Sequence, residues 1–265
     1  MTGPVPRARP VLVLLMALAF GLSPLLTPDF RGYDAAQFPV RLESPAILPA
    51  GYAFGIWGLI YLWLVLHAGF GLWKRAADPA WDGVRAPLIL SLAIGAVWLA
   101  VAVRDPVWAS VLISVMGGGA LASLARAPAT PDRWLLLAPL AVYGGWLTAA
   151  TGVSWGVLLA GFGWLSDTAA AVVMLALVLA LAVTVQLRLG RAPEYGLTVA
   201  WALLAVCVRN GAGNLVVTGL AAAGCVVVLA AAWRVRRPQA KRPRQDLGRL
   251  ATRRSAENDY GPEDP

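Results

Sequence analysis

The sequence predicts an all-α fold, a polytopic bundle of about eight membrane-spanning helices. Three observations carry this. The 265-residue chain is 59% hydrophobic, with a mean hydropathy of +0.68, whereas soluble domains are about 45–50% apolar. Several apolar runs reach the ~20 residues needed to cross a bilayer. The basic residues gather in short connectors and near the C-terminal end, the pattern of the positive-inside rule. A β-barrel would show short alternating segments instead.

The elements follow in order. Arg7 and Arg9 precede an apolar run from Val11 to Leu26. Pro24, Pro28 and bulky leucines stand where a signal-peptide cleavage site needs small residues, so this reads as a retained first span. Thr27 to Pro49 is the longest loop between spans, and long ordered loops are often lids; a plain connector reads equally well. The second span, Leu48 to Trp73, contains no Asp, Glu, Lys or Arg. Span three runs from about Ala86 to Val103. Arg104-Asp105-Pro106 then turns the chain into span four, Trp108 to about Ala125. Span five is expected from Arg133 to about Thr151, with Pro139 inside it as a kink. Ser154 to Asp167 reads as an amphipathic or partly inserted connector. Spans six, seven and eight run from about Thr168 to Leu187, Ala192 to Val208 and Gly213 to Trp233.

With the N-terminus inside, this layout places 18 of the 22 Lys and Arg on the inner side and four, Arg31, Arg41, Arg104 and Arg209, on the outer. An inner, cell-membrane location with both termini cytoplasmic is expected. The tail, 234–265, lacks apolar periodicity and reads as basic and disordered, held near anionic headgroups. Nine of the Lys and Arg lie in it, so the net charge of +8 is explained without nucleic acid as a partner.

Catalytic and metal motifs are missing. The single histidine, His67, cannot build a His cluster, and a lone His within a span is more often a hydrogen-bonded packing residue. Cys207 and Cys225 lack metal or redox spacing and read as packing residues. No nucleophile elbow, zinc-protease or phosphate-loop motif occurs. No Asp, Glu, Lys or Arg stands in the middle of a span, which argues against ion-coupled transport. No cofactor, metal or catalytic residue is therefore expected, and the protein reads as a non-enzyme.

Two patterns remain. Ser110, Ser114, Gly118 and Ala122 repeat every four residues in span four. Such a small-residue file lets another helix approach closely, either as an intramolecular seam or as the face of a homodimer. The second pattern is aromatic. Phe54, Trp57 and Tyr61 share one helical face, and Trp63, His67 and Phe70 another. Of the 12 tryptophans, Trp73, Trp81, Trp108, Trp134 and Trp233 fall near span ends and suit interfacial belts. Trp57, Trp63, Trp98, Trp146 and Trp201 do not. The aromatic face is either a lipid-facing or bundle-packing surface or the wall of a flat pocket for a planar apolar ligand.

The stretch LPAGYAFGIWGLIYL, Leu48 to Leu62, resembles the second-helix signature of the tryptophan-rich sensory protein family, also called the translocator or peripheral benzodiazepine receptor family. Pro49, Gly51, Tyr52, Phe54, Trp57 and Tyr61 fill its roles. APLAVYGGWLTAATG resembles the family's fifth helix through Pro139, Trp146 and Ala149, and Trp98 falls where the third helix carries Trp. Ala50 replaces a second proline, and Gly95 stands where the family has Asn. The chain looks like a longer bacterial branch. The resemblance implies a five-helix translocator-like core over 1–152, three additional helices over 153–233, and a pocket below the first loop. It implies binding of a hydrophobic small molecule such as a porphyrin or haem, as sensor or carrier. The expected ligand-binding residues are Phe54, Trp57, Tyr61, Trp98, Pro139, Tyr143 and Trp146. A permease for a neutral apolar solute and a structural, partner-binding membrane protein are the alternatives.

Overall fold

A computed structural model describes residues 8–27, 30, 32–129 and 132–236; most of the tail and its expected disorder lie outside them. Eight helices make up this part: α1 (Ala8–Leu22), α2 (Ile56–Lys74), α3 (Pro79–Ala102), α4 (Pro106–Arg126), α5 (Leu137–Gly161), α6 (Asp167–Leu189), α7 (Pro193–Asn210) and α8 (Leu215–Arg236). Short 3-10 turns at Ser23–Leu25, Ala35–Gln37 and Gly51–Gly55 join α1 to α2. The predicted polytopic helical bundle is what the chain forms.

Helix starts follow local chemistry. Asp78 caps α3 by accepting from the Ala80 N–H, with Pro79 in the first turn. Asp105 caps α4 by accepting from the Val107 and Trp108 N–H groups. Each caps an end whose N–H groups lack intrahelical partners. The α3 cap moves that helix's start ahead of the expected Ala86. Pro87 then becomes an interior proline. Pro139, expected as the kink of span five, stands in the first turn of α5, where a missing N–H breaks no intrahelical bond.

Among the described residues, six helical segments are long and apolar enough to cross a membrane; α5 and α7 are not among them. α7 carries Glu194, Arg209 and Asn210 at its ends, and α5 is set apart by burial. Twenty of the 25 residues of α5 are buried, since it packs against α4, α6, α7 and, less extensively, α2. A helix surrounded by protein needs small residues for close approach more than it needs hydropathy. At Gly145 the Tyr195 carbonyl of α7 lies so near that a Cβ would sit 2.6 Å from its oxygen. The expected amphipathic connector from Ser154 is instead a continuation of α5 to Gly161, and the expected boundary between 152 and 153 falls within this helix.

The contacts between helix ends show that direction alternates along the chain. Arg9 pairs with Asp82, and Arg75 with Asp132; Arg133 pairs with Glu194. Arg191 donates to the Ala125 and Ala127 carbonyls at the end of α4. These contacts form one rim, rich in Arg. At the opposite rim the 27–50 loop is pinned to α5, α6 and α7. The Val40 N–H donates to the Gly161 carbonyl. The Ala46 N–H donates to the Asp167 carboxylate at 3.0 Å, and Asn210 donates to the Ala46 carbonyl.

The basic rim also holds a buried aromatic clamp. The carboxylate of Asp132 accepts from Arg75 Nε at 2.7 Å and Nη2 at 3.1 Å, and from Trp81 Nε1 at 2.9 Å. Hydrogen bonding from Arg75 holds the Asp132 carboxyl below its ordinary range. Trp81, expected in the interfacial belt, is 1% exposed and stacks on His67 with ring centroids 4.8 Å apart. His67 contacts the Leu135 carbonyl through Nδ1 at 2.7 Å. A carbonyl only accepts, so the proton is on Nδ1, and His67 is a packing residue, as expected. Trp73, Trp108, Trp134 and Trp233 are exposed, as belt residues are.

Candidate functional site: an aromatic cavity beneath the loop

Under the 27–50 loop lies a cavity of about 690 Å³. One wall comes from α2 and the 3-10 turn Gly51–Gly55 that leads into it. Phe54, Trp57 and Tyr61 all line it, with Trp57 and Tyr61 stacked at 5.4 Å and 15°. This is the face read from their spacing of three and four. The second aromatic face turns elsewhere: Trp63 Nε1 donates to the Trp134 carbonyl, and Phe70 packs on Trp81.

Trp146 of α5 faces the α2 wall. Its ring stands nearly perpendicular to Phe54 and Trp57, at 5.9 Å from each. Its Nε1 is buried with no hydrogen-bond partner among the described residues. Trp98 lines the cavity from α3 and donates to the Ala109 carbonyl at 2.8 Å. Phe30 of the loop meets Trp98 edge-on at 5.4 Å.

Two of the seven residues expected at the site stand outside the cavity wall. Pro139 lies at the far, basic rim. Tyr143 is wholly buried behind Phe20. Ser91 donates to the Met116 carbonyl, so its oxygen accepts from the Tyr143 hydroxyl at 2.9 Å. Tyr143 thus ties α5 to α3 and α4 and backs the floor.

Sequence reasoning missed several wall residues. Phe20, Ile113 and Met116 form the deep end, and Tyr33, Ile47 and Leu48 come from the loop. Ala202, Leu203 and Val206 come from α7, and Leu175 and Val178 from α6. The cavity therefore joins the first five helices to two of the last three. Small aliphatic residues on α6 and α7 carry no local signal for this. Phe20 could have been found: Val13, Ala17 and Phe20 share one face of α1, and all are buried.

Polar groups cluster toward the loop. Ser110 donates to the Pro106 carbonyl, which fixes the direction of the rest of the chain. Ser154 donates to Ser110 at 2.8 Å, and Tyr33 donates to Ser154 at 2.5 Å. Burial raises the Tyr33 pKa, with the Ser154 bond opposing, so the phenol is neutral at physiological pH. Glu43 and Arg209 also line the cavity at this end, and Arg209 donates to Ser44.

The small-residue file of α4 is only partly a seam. Ser110 and Ser114 face α5, where Ser114 accepts from Trp155 Nε1 at 2.9 Å. Gly118 is exposed and would meet nothing within 4 Å. A repeat of four residues advances by ~40° per step beyond full turns, so the file rotates off the seam.

Fold and cavity together define an integral membrane helix bundle with an aromatic-walled internal site. Within that class, a family of TSPO-like proteins matches residues 11–233, and the chain belongs to that family. The match extends over all eight helices, including the three that the second-helix resemblance alone does not cover. No curated protein and no solved structure matches this chain.

Proposed function

We propose that this protein binds a planar hydrophobic small molecule, of tetrapyrrole-like shape, in the cavity beneath the loop, and acts as a sensor or carrier for it. The observation that carries this reading is the cavity of about 690 Å³ walled by the stacked Trp57–Tyr61 pair and by Trp146. Rigid aromatic faces give a flat ligand large contact area with little side-chain ordering cost. The polar end supplies orientation through Tyr33 and Ser154. Wall residues that are aromatic and aliphatic suit binding rather than bond-breaking chemistry.

The reading places the protein in the cell membrane with both termini cytoplasmic and the 27–50 loop outside. In support, Lys74, Arg75, Arg126, Arg133, Arg188 and Arg191 lie on or next to the rim that holds the start of α1. The exposed face of α4 at Gly118 is the surface that a homodimer of this reading would use.

Intrinsic tryptophan quenching by protoporphyrin IX tests the proposal. Saturable micromolar quenching is expected in the purified protein, and its loss in Trp57→Leu/Trp146→Leu. Quenching no greater than in an unrelated tryptophan-rich membrane protein would overturn it.

A further inference from the structure

We propose that Gly95 sets the depth of the cavity by letting the Phe20 ring stand back against α3, and that the site is thereby selective for long planar ligands. This rests on reading the cavity as a ligand site.

A Cβ at position 95 would lie 2.8 Å from both Cδ2 and Cε2 of Phe20 and 3.0 Å from Met116 Cε. Carbon atoms in contact prefer ~3.5–4.0 Å. The Met116 methyl ends a flexible chain and can swing aside. The Phe20 ring is rigid, and it is boxed in. Tyr143 lies behind it at 6.0 Å, itself wholly buried and held by Ser91. Tyr61 and Trp57 stand edge-on at 4.9 and 5.8 Å. Of these neighbours, Tyr61 and Trp57 line the cavity, as does Phe20 itself, and Tyr143 does not. A ring pushed off α3 therefore moves toward the cavity and its aromatic wall.

The consequence is a gauge at the deep end. With glycine at 95, Phe20 is 3% exposed and forms a floor together with Met116 and Ile113, all apolar. Apart from the Tyr61 phenol beside Phe20, the polar lining side chains lie toward the loop, at Thr27, Tyr33, Glu43, Ser154 and Arg209. The ligand class this fits is an elongated planar amphiphile standing with its apolar end on Phe20 and its polar end beneath the loop. Any larger residue at 95 shortens the space available to it. Alanine is the mildest such change, and it favours helix over glycine, so α3 itself is not weakened.

The test uses two probes that share one fluorophore, pyrene and the longer 1-phenylpyrene. Binding to the full chain in detergent is read by energy transfer from tryptophan, with an unrelated tryptophan-rich membrane protein as background. Wild type is expected to bind both. Gly95→Ala should weaken 1-phenylpyrene by about tenfold or more, the scale of an overpacked site, and leave pyrene nearly unchanged. Gly95→Ala/Phe20→Leu should recover the longer probe, because a shorter side chain frees the floor. Equal binding of both probes by Gly95→Ala and wild type would overturn the depth gauge. So would equal loss of both probes without recovery in the double variant. Binding of neither probe by wild type would instead overturn the ligand-site reading, and the gauge with it.

Discussion

Gly145→Ala is the substitution that most directly probes how α7 is held against the bundle. The added methyl would meet the Tyr195 carbonyl oxygen at 2.6 Å, Thr198 Cβ at 3.0 Å and the Tyr195 carbonyl carbon at 3.3 Å. A carbon–oxygen contact settles at ~3.3–3.6 Å, so α7 must retreat by about 0.7 Å. Two of the three atoms are backbone and cannot rotate away. Overpacking of this kind costs about 1–3 kcal/mol, and alanine's helix preference returns about 1 kcal/mol. The net loss expected is about 1 kcal/mol. Gly118→Ala on the exposed face of α4 is the control, since its methyl meets nothing within 4 Å; it should gain up to ~1 kcal/mol. Thermal midpoints in detergent, read as the monodisperse fraction after heating, should fall for Gly145→Ala and hold or rise for Gly118→Ala. Because Ala202, Leu203 and Val206 of α7 line the cavity, the first variant should also weaken porphyrin quenching. A Gly145→Ala protein as stable as Gly118→Ala would refute the close-packed crossing.

Other predictions follow from single contacts. Tyr143→Phe leaves Ser91 with its bond to Met116 but removes the tie from α5; a loss of about 0.5–1.5 kcal/mol is expected in thermal stability, and Ser91→Ala/Tyr143→Phe should cost less than the two single changes together. The Arg75 bond depresses the Asp132 pKa, so this clamp is fully formed above the unfolded carboxyl value of ~3.9 and is lost as pH falls through the lower, folded value. Stability attributable to Asp132 should be flat from pH 5 to 8 and fall only in stronger acid, and Asp132→Asn should abolish that acid-dependent part; a difference between the two proteins that titrates near neutrality would contradict the assignment. Ser154→Ala breaks the chain from Tyr33 to Pro106 without touching the Trp57–Tyr61 wall; it should weaken binding of polar-ended planar probes while sparing pyrene, measured by the same energy transfer.

Much of the bundle was legible because lipid-facing helices announce themselves by hydropathy. The α2 aromatic wall was legible because spacing of three and four puts Phe54, Trp57 and Tyr61 on one face. The centre was harder. α5 is buried over most of its surface, so it shows no amphipathic stripe, and its end, from Ser154, read as a connector. Its actual signal is the set Gly144, Gly145, Gly152 and Gly156, small residues over several faces. Trp81 lies at a span end and yet is buried, because Asp132, far away in sequence, reaches its N–H. Nothing local distinguishes it from Trp73. Pro139 and Pro87 exchanged roles once the Asp78 cap set where α3 begins. The share of α6 and α7 in the cavity depends on long-range packing alone.

The claim on which the rest depends is that a ligand occupies the space between α2, α5 and α7. Cysteine protection tests it most directly. In a background with Cys207 and Cys225 replaced by alanine, single cysteines at Ala150 and Ala202 line the cavity from α5 and α7, and one at Gly118 faces outward. Labelling with a small methanethiosulfonate is followed with and without saturating protoporphyrin IX. The account predicts that the porphyrin slows labelling at 150 and 202 and leaves 118 unchanged. Equal labelling rates with and without porphyrin at 150 and 202, in a protein shown to quench, would contradict it.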